Sequence, residues 1–222
     1  MDTDAAASRM YTPELAAESE ITIKKSRFIG LAFPILSVED AEARLADVRE
    51  IHSGANHHCF AYSVGSPVPT ERFSDAGEPS GTAGRPILEV LRRRHVRDTL
   101  IVVVRYFGGV LLGANGLTRA YAQSAAQVLD DSVLLRMDSM SQIRVECDYG
   151  ALGKLEYELT QAGYELYDKE FTDKVSFAIW VEADKAAAMT DALANWSNGR
   201  MSAEVGEATL VGVRPDGTLR LP

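Results

Sequence analysis

Thr99-Leu100-Ile101-Val102-Val103-Val104-Arg105-Tyr106 runs straight into Phe107-Gly108-Gly109-Val110-Leu111-Leu112-Gly113-Ala114-Asn115-Gly116. The unbroken β-branched run predicts a strand buried on both faces. The glycine-rich loop then feeds an alanine-rich helix over residues 117–131, whose small side chains allow close packing. Upstream, Pro86 stands where a helix begins, a place that tolerates its missing N–H, and a short helix is expected over 87–94. Residues 57–64 read as a strand, and the Gly-, Pro- and Ser-rich stretch 65–85 as a long loop. Before them, Ser37 caps a helix over 38–52, in which Val38, Ala41, Leu45 and Val48 recur at helical spacing. A single strand is expected from Ile21 to Phe33. Residues 1–19 lack periodicity and read as a loose arm settling near Tyr11.

Downstream the pattern changes. Residues 132–141 read as a connection, followed by strand 142–147, helix 150–162, strands 164–171 and 174–182, helix 185–196 capped by Asp184, and strand 203–213. This βαββαβ order is the ferredoxin-like, or split βαβ, arrangement. The expectation is an α+β chain with one domain over 18–135 and a second over 140–214.

The 222 residues suffice for two domains, and 46% hydrophobic content provides two cores. No apolar run approaches the ~20 residues needed to cross a bilayer. The short, acidic start lacks a hydrophobic signal core. Cys59 and Cys147 form no CxxC pair, so a reduced cytoplasmic setting is expected, without membrane or disulfide framework. A net charge of −9 opposes bulk coating of nucleic acid. Residues 72–119 nevertheless hold an excess of arginine over acid, so a polyanion contact belongs there.

Three groups of residues bear on chemistry. His57, His58 and Cys59 share a strand; His57 and Cys59 face one way and His58 the other. Two ligands are too few for structural zinc. In the loop 75–86, Asp75, Glu78, Ser80 and Thr82 stand among three glycines. They suit either a magnesium ion or water, or a tight loop that satisfies its own backbone. Finally, Arg105, Tyr106, Gly108, Gly109, Asn115 and Arg119 join the buried strand to a helix N-terminus. With Arg85 beside another such terminus, they suit a phosphate or carboxylate. GxGxxG, the P-loop Lys-Ser/Thr and GxSxG are all missing, so no cofactor or catalytic centre is specified. Trp180 alternates with its strand's core residues but lacks the surrounding pattern of an RNA-recognition sheet.

The stretches Ile23-Lys24-Lys25-Ser26-Arg27-Phe28-Ile29, His57-His58-Cys59-Phe60-Ala61-Tyr62, 75–86 and 103–121 resemble the IMPACT / YigZ family in order and content. The resemblance covers about residues 18–130, and the rest is similar to that family's usual C-terminal domain, itself like the last domain of elongation factor G. It implies a left-handed βαβ fold for the first domain, shared with a small-subunit ribosomal protein and with elongation factor G domain IV. It also implies a link to translation, since the eukaryotic relatives are translation regulators. Ala76 stands where the family usually has a second aspartate, which weakens a two-carboxylate metal site. Asn115 replaces a usual glycine, and its tolerance of positive φ is expected to preserve the loop. The leading reading is a non-enzymatic protein binding structured RNA, the ribosome or a translation factor, with Arg27, Arg85, Arg105 and Arg119 on phosphates. A small-ligand or metal-dependent hydrolase using Asp75, Glu78, His57 and His58, and a protein–protein adaptor, remain as alternatives.

Overall fold

The computed structural model describes residues 10–221. Two compact units divide near Met137, and Val213–Leu219 returns to the first. The chain runs through β1 (Met10–Pro13), β2 (Ala17–Ile23), β3 (Ser26–Pro34), α1 (Val38–Ile51), β4 (His57–Val64), β5 (Thr70–Ser74), α2 (Gly84–Arg93), β6 (Thr99–Tyr106), α3 (Ala114–Asp130) and β7 (Leu134–Cys147). It continues through α4 (Tyr149–Gln161), β8 (Tyr167–Phe171), β9 (Val175–Glu182), α5 (Ala186–Trp196), β10 (Met201–Val205), β11 (Thr209–Val213) and β12 (Leu219–Arg220). Among the described residues the mixed architecture has two antiparallel sheets and five α-helices, as the α+β expectation requires. No described helix is long and apolar enough to cross a membrane.

In the first unit the sheet order is β2-β3-β6-β4-β5, which puts β6 at the centre, as its doubly apolar composition demands. Side-chain alternation separates two cores. Phe28, Cys59, Ala61, Ile101 and Val103 pack against α2 and α3. Ile29, Phe60, Tyr62, Leu100, Val102 and Val104 pack against α1. Phe28 meets Tyr121 of α3 edge-on, with ring centroids 5.3 Å apart. In the second unit β10, β7, β9 and β8 pair antiparallel in the split βαβ order, and α4 and α5 cover the face built by Ile143, Val145, Phe177 and Ile179.

Several expectations are corrected. The strand expected over 21–33 is a hairpin, β2 to β3, turning at Lys24-Lys25 with φ of 47° and 67°. Two positive φ values in a two-residue turn match the hairpin twist, but no Asn or Gly marks the spot. The loop 65–85 contains β5, a short edge strand whose one large apolar residue, Phe73, is exposed. Strand β7 is continuous through residues expected to form a connection. Residues 10–13 of the expected arm form β1, paired with β7 from Met10↔Met137 to Pro13↔Leu134; residues 1–9 lie outside the described part. The strand expected over 203–213 is two, β10 and β11. Asp184 belongs to a short 3-10 turn, and Lys185 takes the N-cap place of α5 without a side-chain bond.

Candidate functional site

Strand parity aims Arg105 at the face covered by α2 and α3, where β4 places His57 directly opposite. Arg105 is 4% exposed. Its Nη1 donates to Glu78 Oε1 at 2.6 Å and its Nη2 to Ser26 Oγ at 3.3 Å. The guanidinium lies over the rings of Phe28 and Phe107, 5.3 and 5.5 Å from their centroids. Tyr121 donates its phenol proton to the same Glu78 oxygen at 2.7 Å. One carboxylate oxygen thus serves a cation and a hydroxyl in a dry setting, where an unpaired charge would be costly.

The loop before α2 is closed by Asp75. Its Oδ2 accepts from the Gly81 N–H at 2.8 Å, and its Oδ1 from those of Ala83 and Gly84 at 2.9 Å each. Ala83, at the N-cap of α2, has no capping side chain, so Asp75 supplies the anion that the helix end attracts. Partial burial alone would raise this carboxyl's pKa, but the three backbone donors hold it below the usual value. Thr82 donates to the Pro79 carbonyl at 2.7 Å, and the Glu78 N–H to that of Asp75 at 2.9 Å. A Cβ on Gly84 would stand 2.7 Å from the Ser74 backbone, which makes glycine necessary there. The loop from Asp75 to the start of α2 at Gly84 is thus closed by bonds among its own residues.

His57 and Cys59 point into this loop. His57 Nδ1 lies 3.0 Å from the Ala76 carbonyl, which can only accept, so Nδ1 carries hydrogen. Its Nε2 is 3.7 Å from Glu78 Oε1. The Cys59 thiol donates to the Asp75 carbonyl at 3.0 Å, and burial pushes its pKa up to about 12. Burial likewise raises the pKa of the Tyr121 phenol. A protonated, buried thiol is a poor nucleophile. His58 lies on the opposite face, donating from Nε2 to the His52 carbonyl at 3.1 Å, and burial lowers its pKa. Among the described residues, no group of three or more His, Cys, Asp or Glu side chains could hold a metal ion.

The remaining candidates are more exposed. Arg27 makes a two-pronged pair with Glu20 at 3.0 and 2.8 Å and lies over the Tyr106 ring. Tyr106 itself reaches His52 at 3.1 Å on the α1 side. Gly108 admits the β2–β3 turn: a Cβ there would sit 2.0 Å from the Lys25 carbonyl group. Gly109 takes φ +83° at the exposed loop. Asn115 is helical, in the first turn of α3, so the expected positive φ is not needed, and its carbonyl accepts from Arg119 Nε at 3.3 Å. Arg85, Arg119 and Ser80 are exposed. A cleft of about 310 Å³ between α2 and α3 is lined by Arg85, Arg93, Val90, Thr118 and Ala122, with Glu89 also on its wall.

The structure therefore gathers His57, Asp75, Glu78, Thr82 and Arg105 inside the first unit, leaving His58 and Tyr106 on the α1 side and Arg27, Arg85 and Arg119 outside. The expectation that Arg105 reaches a phosphate is corrected, because its guanidinium is buried against Glu78. Sequence reasoning missed Tyr121, Ser26, Phe28 and Asn56, whose Oδ1 accepts from the Phe107 N–H at 2.8 Å. Tyr121, a lone aromatic in an alanine-rich helix, was the available signal.

Residues 24–129 match the family described as the Impact N-terminal domain, and residues 145–200 match a domain of unknown function, DUF1949. The chain is 37% identical over 199 residues to "IMPACT family member YvyE" of Bacillus subtilis (strain 168), covering 90% of this chain and 92% of that protein. It is 36% identical over 181 residues to "IMPACT family member YigZ" of Escherichia coli (strain K12), covering 81% and 89%. A solved structure described as "Crystal structure of an hypothetical protein" is 34% identical with TM-score 0.57, covering 90% of this chain and 97% of that one. "Protein IMPACT" of Rattus norvegicus is 27% identical over 104 residues, covering 46% of this chain and 33% of that protein. With both halves of the chain matched and such identity along nearly its whole length, the chain belongs to the IMPACT family.

Proposed function

We propose that this chain is a binding protein linked to translation, whose first unit docks on structured RNA of the ribosome or on a translation factor. The observation that carries this reading is a division of charge. The carboxylates that looked reactive, Asp75 and Glu78, are engaged with backbone N–H groups, Arg105 and Tyr121. Outside, Arg85, Arg93, Arg119, Lys24 and Lys25 are exposed and form no ion pair among the described residues. Such an arrangement suits positioning on phosphates better than hydrolysis, because the groups hydrolysis would use are committed to holding the fold. The eukaryotic relative named Protein IMPACT supports the family link, and the bridge to translation rests on that resemblance.

The test is binding of purified ribosomal RNA as salt is raised, for the wild type and for Arg85→Ala/Arg119→Ala. Each lost phosphate contact should flatten the log–log salt slope by roughly 0.7–0.9, the values for single strands and B-form duplex. A variant with unchanged affinity and slope removes these arginines from the interface.

A further inference from the structure

The loop after β6 leaves three large apolar side chains in solvent: Phe107 is 44% exposed, Val110 38% and Leu111 82%. Grouped exposure of this kind marks an interaction site more often than a stable surface. Phe107 is held in place at both ends. Its N–H donates to Asn56 Oδ1, and its ring lies over the buried Arg105 guanidinium. Even so anchored, Phe107 keeps 44% of its surface exposed.

Cations flank this loop at both ends. The Lys24-Lys25 turn presses on Gly108, where no Cβ would fit. Both lysines are exposed, and neither forms an ion pair among the described residues. At the far end of the loop, Arg119 stands exposed early in α3.

We propose that this loop is a stacking site for an unpaired base of single-stranded or looped RNA. Phe107 is the platform, and Lys24, Lys25 and Arg119 contact the neighbouring phosphates. The proposal rests on the RNA reading above and adds that the RNA is unpaired at the contact. Aromatic platforms between cations hold single strands because every base offers a flat face and every linkage a charge. An anionic bilayer would also meet cations and apolar groups here. A ring pinned over a guanidinium, however, offers a plane to another plane and is not free to reach into acyl chains.

Fluorescence anisotropy decides it, using a labelled unpaired RNA of about 12 nucleotides, within the range one such site spans. The same length with abasic residues and a duplex are compared with it. The wild type should favour the base-bearing strand over the abasic one by about tenfold, within the range known for base–aromatic stacking. Phe107→Ala should lose that preference and Phe107→Trp keep it. Lys24→Ala/Lys25→Ala should weaken both single strands and flatten the salt slope by about 1.4. Equal wild-type affinity for base-bearing and abasic strands overturns stacking while leaving RNA binding intact. Absence of binding to all three RNAs overturns the stacking site and the RNA arm of the proposed function, and leaves docking on a translation factor to the sedimentation test. Binding to phosphatidylserine vesicles without base discrimination overturns stacking and assigns the loop to membranes.

Discussion

Removing the charge of Glu78 should do more damage than any surface change in the first unit. The Glu78 and Arg105 side chains are 4% and 5% exposed, so losing one leaves the other's charge without solvent. Breaking a pair this buried costs about 3–5 kcal/mol, a large share of the 5–15 kcal/mol typical of a whole domain. Glu78→Gln keeps an oxygen for Tyr121 but strands the guanidinium; Arg105→Met strands the carboxylate. The double variant leaves no buried charge and should cost about as much as one single variant, a coupling of about 3–5 kcal/mol. Hydrogen exchange at the β6 amides is the right assay, since both tryptophans, Trp180 and Trp196, lie in the second unit. Single variants costing under about 1 kcal/mol, or a double variant equal to their sum, would refute the central role given to this pair.

Three further predictions concern the same unit. Asp75→Asn should lower stability by about 2 kcal/mol at neutral pH, as loss of a helix cap does. Because the folded Asp75 titrates below its unfolded value, its contribution is present above the ordinary carboxylate range and lost as pH falls through the depressed value. Urea melts of both proteins at pH 7 and pH 3 should therefore converge on acidification; a constant gap would contradict the assignment. The Cys59 thiol, buried and raised to about 12, should resist iodoacetamide at pH 8 and react once guanidinium unfolds the chain; stoichiometric labelling of the native protein would show the site to be open. Gly108→Ala should cost at least about 1–3 kcal/mol, the usual cost of overpacking, because the new Cβ meets backbone. An unchanged melting temperature would show that the Lys24-Lys25 turn moves aside freely.

Elements with strong periodicity were legible in the sequence. Strand β6 falls on the expected residues 99–106, and β4 on 57–64, because both are apolar on two faces. Helix α1 was equally plain from Ser37 and its spaced apolar residues. What escaped were features set by distant partners. The Lys24-Lys25 turn carries no turn residue and depends on the space above Gly108. Strand β5 is amphipathic over five residues and exists because β4 offers it an edge. At the site, alternation correctly separated His57 and Cys59 from His58, and composition pointed to a loop that the structure shows running from Asp75 to Ala83, with Gly84, Arg85 and Pro86 already in α2. Arg105 reads as a phosphate contact because an arginine is expected at the surface; its strand alternation with Ile101 and Val103 aims it inward, and the arrival of Glu78 and Tyr121 from other elements explains its burial.

The central claim, that the first unit binds a translation-linked polyanion through exposed cations, is tested most directly by sedimenting the protein in lysate through a sucrose gradient. The account predicts co-migration with ribosomal particles that weakens with salt and is lost in Arg85→Ala/Arg119→Ala. Loss on RNase treatment would assign the contact to RNA; persistence would assign it to a protein factor. Wild-type protein that stays at the top of the gradient at low salt, or a double variant that co-migrates undiminished, would contradict it.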